Sequence, residues 1–295
     1  MKPLIHIQDP ETAAGFYDNC IHNSPNGVIY ALSWYLNIVS PDWEILTTED
    51  HSSVMPLPLI RSLGRKIIQQ PEFAWQLGIF STQVPSPEII RHFIHSIPKS
   101  YRMRRLCLSK LNIVESSSAK FLNAAELDLI RPYRQIKLNY GPSMQKQLSL
   151  AADQSISYVG NISVHDMLMF AYKLDKFHPQ ALKPREISTL RLIITNSIRF
   201  RAGQIGAAYD IHNNLCATVV FLIFKGRAAI LHAAASGEGL AAGALEYIID
   251  RFIETNAEKN LVLCVENPAE RKLVEILQCC GSGISNFPCL KSKQY

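Results

Sequence analysis

Residues Ala229 to Glu254 read AILHAAASGEGLAAGALEYIIDRFIE, and this stretch decides the fold. An apolar, strand-like run from Ala228 to His232 feeds a turn of small residues, Ser236-Gly237-Glu238-Gly239, which opens into a helix predicted to end near Glu254. The first turn of a helix leaves backbone N–H groups without intrahelical partners, and the macrodipole adds partial positive charge there. Small side chains at Ser236, Gly237, Gly239 and Ala241 would let a phosphate reach those amides. Ser236, Gly237, Glu238, Gly239, Leu240 and Ala241 therefore form a candidate cofactor cradle. The competing reading is a buried strand-to-helix connection in which glycine serves only tight packing. The helix itself is amphipathic, with Ala241, Ala244, Leu245, Ile248 and Phe252 on one stripe and Glu246, Asp250 and Glu254 on another face.

The rest of the chain sets the context. Its 295 residues suffice for two domains of ordinary size, and 47% hydrophobic with 19% charged residues is a globular composition. A net charge of +5 is mild, and Lys and Arg are scattered apart from Arg102, Arg104 and Arg105 at the start of a strand. That distribution is not a nucleic-acid footprint, and it suits a phosphate-bearing ligand equally well. The seven cysteines are an odd number without metal-ligand spacing and fall largely in apolar runs, which predicts free thiols, no metal and a cytoplasmic protein. The vicinal pair Cys279-Cys280 reads as a helix end against the core, with a redox-active pair as the alternative. The segment MKPLIHIQDPETAAG lacks the apolar centre of a signal peptide, and no apolar run reaches membrane-spanning length.

Taken in order, the chain predicts a helix around Glu11 to Asn19, then strands over Trp43 to Thr47, Ser53 to Ile60, Lys66 to Gln70 and Gln76 to Ser81. Pro56 and Pro58 confine their strand to an edge. A helix over Pro85 to Ile97 and a strand over Arg104 to Ser109 follow. A crossover is placed in Ser116 to Asn139, ending at Asn139-Tyr140-Gly141-Pro142. Beyond it come a helix over Ser143 to Gln154, a strand over Ser155 to Val159, and helices over Val164 to Leu174 (N-cap Ser163) and Pro184 to Phe200. A hairpin of Gly203 to Asp210 with Leu215 to Phe224 leads into the opening stretch. A strand over Leu261 to Val265, a helix over Pro268 to Cys279 and a strand over Ile284 to Leu290 complete the chain. Strand, turn, helix, strand recurs in both halves, which predicts domains at 1–139 and 140–295. The first-half turn, Ser81 to Pro87, has no glycine and two prolines that remove N–H donors, so any phosphate site is in the second half.

Helices, an antiparallel meander, a glycine turn into a helix, a strand, a helix and a final strand resemble the GNAT (Gcn5-related N-acyltransferase) fold. The GNAT phosphate signature is Gln or Arg, two residues, Gly, one residue, then Gly or Ala. Ser236 to Ala241 matches it except that Ser236 stands at the first position, and Glu266-Asn267-Pro268-Ala269 resembles the asparagine-bearing helix opening after the next strand. The tandem arrangement resembles the FemABX-type branch. It is similar also to a group of bacterial proteins of unassigned function through Trp34, Trp43, Met55-Pro56-Leu57-Pro58, Gln70-Pro71-Glu72-Phe73 and Gln76-Leu77-Gly78-Ile79-Phe80-Ser81. The resemblance implies an α/β (α+β) protein of two tandem GNAT-like domains, each a mixed, mostly antiparallel sheet flanked by helices. In it the N-terminal domain carries a degenerate phosphate loop and the C-terminal domain the donor site.

The resemblance further implies an N-acyltransferase moving an acyl or aminoacyl group from acyl-CoA, or from aminoacyl-tRNA, to an amine acceptor that is a small molecule or a peptide. It leaves room for a homodimer. Acyl transfer needs a held donor, N–H groups on the carbonyl and removal of an amine proton. By analogy with splayed GNAT strands, His232 is the candidate base, Glu266 a second candidate at the other strand end, and Tyr247 a donor to the leaving thiolate. Their structural alternatives are an interior hydrogen-bonded histidine, a helix cap and core packing. Asn267 joins the cofactor set, and Trp34, Tyr35, Gln70 and Gln76 are candidate substrate-binding residues, with interface core as their alternative. The other function class is a catalytically silent GNAT-like module that binds a ligand or partner, favoured by Ser236 in place of Gln or Arg.

Overall fold

A computed structural model describes residues 3–115, 119–175 and 182–291. The described residues form two compact units. One runs to Asn123 and resumes at Ser285, and the other is Ala124–Ile284.

The first unit begins with β1 (Ile5–Ile7), α1 (Ala14–Asn23) and α2 (Ser33–Val39). Then come β2 (Glu44–Thr47), β3 (Ser53–Leu57), β4 (Leu59–Ser62), β5 (Arg65–Gln69), β6 (Phe80–Ser81), α3 (Pro87–His95) and β7 (Arg102–Cys107). Strands β1-β2-β3-β6 make one sheet. Pro58 marks the change of sheet, since β4 pairs instead with β5. Pro56 is tolerated because β6 reaches only Ser53 and Val54, so β3 is an edge beside the proline. β5 and β7 are parallel, with Leu77 bridging to Leu108 beyond them. Tyr17, Tyr30, Tyr35, Trp43, Phe80 and Phe93 fill the core. The run Gln76 to Ser81, predicted as one strand, is thus an isolated bridge followed by the short β6 of the other sheet.

β8 (Lys120–Asp128) carries the chain into the second unit, where α4 (Tyr133–Lys137), α5 (Pro142–Asp153), β9 (Ser157–Gly160), α6 (Val164–Asp175) and α7 (Pro184–Arg199) follow. Next come β10 (Gly203–Tyr209), β11 (Leu215–Phe224), β12 (Arg227–Ala235), α8 (Gly237–Ala241), α9 (Ala244–Asn256), β13 (Val262–Val265) and α10 (Arg271–Cys279). β14 (Gly283–Lys291) returns to the first unit, where Cys289–Lys291 pairs with Arg105–Cys107. The sequence reading divides the chain at 139/140. The compact units divide at Asn123/Ala124, because Ala125 to Asp128 of β8 are hydrogen-bonded antiparallel to β13. The predicted Ser116-Ser117-Ser118 loop lies outside the described residues.

Within the second unit the order is β8-β13-β12-β11-β10-β9, antiparallel except for β12 beside β13. One face of this sheet packs on α5, α9 and α10 through Phe221, Ile248, Phe252, Leu263, Val265 and Leu277. Phe221 stacks on Phe252 at 3.9 Å between centroids. Gly206 lies against Ile248 on this face, whereas Gly203, of opposite parity in β10, lies against Ser197 of α7. The α6 and α7 side is therefore the opposite face. Local signals act as read: Ser163 accepts from Asp166 N–H at 3.0 Å, and Pro184 occupies the first turn of α7.

The predicted single helix from Leu240 to Glu254 is two helices. Gly243 sits at φ 70° between them, and a Cβ there would lie 2.4 Å from the Gln147 carbonyl oxygen. Only glycine accepts both the left-handed backbone and that contact.

Candidate functional site

β12 and β13 pair at only three positions, Arg227 with Val262, Ala228 with Leu263 and Ala229 with Cys264. Beyond Ala229, β12 continues to Ala235 and among the described residues pairs there with β11, so the parallel pairing stops just where β13 ends. A bulge marks the parting: Val220 faces His232 and Phe221 faces Ile230, leaving Leu231 as the extra residue. Beyond it Ala233, Ala234 and Ala235 are half-buried and small, and Ala233 and Ala235 pack against the hydrophobic cluster.

The small-residue turn follows at once. The Ser236 amide donates to the Cys216 carbonyl at 2.9 Å, and the Ser236 hydroxyl accepts from Gly239 N–H at 2.9 Å. The two glycines differ in kind. A Cβ on Gly237 would meet nothing within 4 Å, whereas one on Gly239 would lie 2.2 Å from the Cys216 carbonyl oxygen. Gly237 therefore borders open space, and Gly239 is the close approach of α8 to β11. The Gly237 and Glu238 amides are the first-turn donors that intrahelical bonding does not use, while the Gly239 amide is capped. Glu238 and Leu240 are exposed, as is Ala241. The expected long helix dipole is not delivered to this turn, since α8 has five residues and α9 starts behind Gly243.

Cross-strand register assigns the predicted catalytic residues to faces. His232 pairs with Val220 and Ala234 with Thr218, which also pairs with Ala207, on the α6 and α7 face. His232 is half-buried there. Tyr247 instead packs against the hydrophobic cluster of α9, so the structure does not bring it to the face that carries His232.

Glu266 is buried and bound to Arg227 at 2.8 Å, and the same guanidinium nitrogen holds Glu126 at 2.8 Å. As the sole candidate base at the end of β13, Glu266 is thus already committed to a cation. Burial opposes the Arg227 charge, but the Glu266 and Glu126 carboxylates beside it outweigh that and raise its pKa. Asn267 accepts from Ala269 N–H at 3.1 Å, closing the turn after β13, and α10 begins at Arg271 rather than at the predicted Pro268. Burial pushes the Cys216 thiol up to about 11 and raises Cys264 as well, which keeps both protonated and unsuited to nucleophilic attack.

The predicted substrate residues of the first unit hold backbone in place. The Tyr35 hydroxyl donates to the Phe73 carbonyl at 2.5 Å. Gln70 donates to the Ala74 carbonyl at 2.6 Å and accepts from Cys107 N–H at 2.8 Å. Gln76 is buried and accepts from Lys110 N–H at 3.2 Å. Trp34 is half-buried, edge-on to Tyr35 with centroids 5.3 Å apart.

Three residues of the site escape sequence reasoning. Arg227 and Glu126 are 101 positions apart, so no local pattern joins them. Thr218 is fully buried on the His232 face, and its hydroxyl has no hydrogen-bond partner among the described residues. Its only signal is being the single hydroxyl of the apolar run LCATVVFLIF.

Among the described residues no helix is long and apolar enough to cross a membrane, and no group of three or more His, Cys, Asp or Glu is placed to hold a metal. No protein-family model matches the sequence, and no curated protein matches it. Solved structures do match in fold. FemX superposes with a TM-score of 0.62 at 8% identity, covering 96% of each chain. A tandem GNAT protein from the clavulanic acid biosynthesis pathway gives 0.53 at 11% identity, covering 99% of this chain and 100% of the other. Saccharomyces cerevisiae N-myristoyltransferase with bound myristoyl-CoA gives 0.53 at 10% identity, covering 99% and 80%. With the parted parallel strands, the bulge and the turn into α8, these likenesses establish that the chain has a FemABX-like tandem GNAT fold.

Proposed function

We propose that the protein is an N-acyltransferase of the GNAT/FemABX type, moving an acyl or aminoacyl group to an amine acceptor. The observation that carries this reading is the end of β12 and β13 pairing at Ala229 and Cys264, next to a turn whose Gly237 borders open space. Structural neighbours described as a tandem GNAT protein and as an N-myristoyltransferase with bound myristoyl-CoA support a CoA-type donor.

The Ser236–Ala241 turn fits a phosphate through two amides, those of Gly237 and Glu238, with Gly239 giving the close packing behind them. An acyl-CoA bound there would supply the acyl group as a thioester. In this reading the acyl group lies where the β12–β13 pairing ends after Ala229, and backbone N–H groups near the Leu231 bulge would polarise its carbonyl. His232 accepts the proton that the attacking amine must lose. Arg227 keeps Glu126 and Glu266 neutralised, so Glu266 serves the site by holding Arg227.

A catalytically silent ligand-binding module is the second reading, and one observation favours it. Ser236 occupies the signature position of a longer polar side chain and spends its hydroxyl on Gly239 N–H, while Glu238 adds a carboxylate at the same helix start.

A thermal-shift titration with acetyl-CoA, longer acyl-CoAs and CoA decides whether a donor binds. A ligand of the native state at about 100 times its Kd adds roughly 2.7 kcal/mol of stability and raises Tm. Gly237→Leu fills the open space and is expected to abolish the shift without unfolding the chain. Absence of a shift with every CoA species sinks the CoA-dependent reading. A shift without acyl loss to any amine selects the silent module.

A further inference from the structure

The first unit holds a pair of thiols that the transferase reading does not use. Cys107 of β7 and Cys289 of β14 face each other across antiparallel strands, with their sulfurs 2.8 Å apart. Leu108 N–H donates to the Pro288 carbonyl at 2.7 Å, which makes Leu108 and Pro288 the hydrogen-bonded pair and leaves Cys107 and Cys289 the neighbouring non-hydrogen-bonded pair. In such pairs the Cα atoms approach to about 4.5 Å, within the span that a disulfide bridges without backbone movement. Arg105, two pairs along on the same face and opposite Lys291, hydrogen-bonds both thiols. The other cysteines of the chain have no such partner arrangement among the described residues: Cys279 and Cys280 are adjacent in sequence at the end of α10, and Cys20, Cys216 and Cys264 donate to backbone carbonyls.

We infer that Cys107 and Cys289 are a reversible redox site that hydrogen peroxide oxidises to a cross-strand disulfide tying β14 to β7. The Cys107 thiol donates to the Cys289 sulfur and Arg105 adds its charge, which lowers the Cys289 pKa and makes Cys289 the attacking thiolate. The same shared proton and burial raise the pKa of Cys107. The Cys289 thiolate attacks one peroxide oxygen, the O–O bond breaks, and hydroxide leaves and is protonated to water. The Cys107 sulfur then attacks the sulfur of the resulting sulfenic acid. The S–O bond breaks, and the departing hydroxide takes the Cys107 proton as a second water. Two thiols are oxidised and one peroxide is reduced. Both sulfurs are buried, so peroxide enters by local opening of the β7–β14 ladder from its end at Arg105 and Lys291, which are exposed. This site is independent of the proposed acyl transfer.

The test uses the full chain, reduced and then treated with hydrogen peroxide. Intact mass is expected to fall by two hydrogens. Non-reducing peptide maps should join the Cys107 and Cys289 peptides, and dithiothreitol should restore the original mass. Because the two cysteines are 182 residues apart, the oxidised chain should also run faster on a non-reducing denaturing gel. In Cys107→Ser, oxidation should stop at a sulfenic acid on Cys289 that dimedone traps, whereas Cys289→Ser should leave Cys107 unlabelled. The inference is overturned if both thiols remain alkylatable after peroxide treatment, or if the oxidised wild type joins Cys289 to any cysteine other than Cys107. The wild-type map alone decides this, even if a variant fails to fold.

Discussion

Arg227 joins Glu266 at 2.8 Å while the same nitrogen holds Glu126 at 2.8 Å, so one guanidinium neutralises carboxylates from β8 and from the end of β13. Replacing Arg227 by Met would leave two carboxylates without their cation in a largely buried place. That loss is expected to cost about 3–5 kcal/mol in urea unfolding, the range for removing one partner of a buried pair. Glu266→Gln should cost less, because Arg227 keeps Glu126. An Arg227→Met protein as stable as the parent would show that the cluster contributes nothing net.

The two glycines of the α8 turn should respond oppositely to alanine. Gly239→Ala drives a Cβ to 2.2 Å from the Cys216 carbonyl oxygen and must move α8 away from β11, with a cost of about 1–3 kcal/mol. Gly237→Ala meets nothing and should lie within about 0.5 kcal/mol of the parent. Chemical denaturation of both variants checks the contrast. Equal costs would refute the separate roles given to them.

Glu44 of β2 binds His6 at 2.7 Å, Lys66 at 2.5 Å and the Tyr101 hydroxyl at 2.7 Å. Burial pushes its pKa up, but the hydrogen bonds from Lys66, Tyr101 and His6 outweigh this and lower it overall. A depressed carboxylate contributes stability that is present above its unfolded pKa, about 4.3, and is lost as pH falls through the lower folded value. Lys66, raised chiefly by its hydrogen bond to Glu44, contributes stability that is present below about 10.4 and is lost above it. Between about pH 5 and pH 3 the parent should therefore lose more stability than Glu44→Gln. Parallel stability curves would exclude the linkage.

Asp250 of α9 is buried and accepts from Tyr140 at 2.9 Å and from Tyr133 at 2.8 Å. Burial first, and then the Asp250 charge, raise the Tyr140 pKa. Its contribution to stability is complete below the unfolded value of about 10 and declines as pH rises past it. Tyr140→Phe should cost about 1–3 kcal/mol at neutral pH by leaving Asp250 short of a donor, and should flatten the alkaline decline. Circular-dichroism melts across pH 7 to pH 11 measure both effects.

Much of this architecture is legible in the sequence wherever a local signal agrees with packing. Pro184 at a helix start, Ser163 as a cap and the apolar runs of β11, β12 and β13 all act as their patterns predict. The misses are tertiary. Gly243 sits inside a helical pattern, and what ends the helix is the backbone of Gln147 on α5, far away in the chain. Glu266 reads as a strand-end carboxylate, and its ion pair with Arg227, 39 positions away, is set by tertiary structure. That Gln70 and Gln76 hydrogen-bond backbone more than thirty positions away is likewise not written in any local pattern. The parting of β12 and β13 is expected by resemblance, and its extent is set by register, which no single sequence states.

The segment from Ser285 onward is built into a unit whose other residues precede Ala124. A ribosome therefore delivers every residue of the second unit before it delivers the strand that covers β7. Synthesis halted anywhere in between releases a nascent chain with a bare β-edge, a template for intermolecular pairing, even though the later-made unit has nearly all it needs to close.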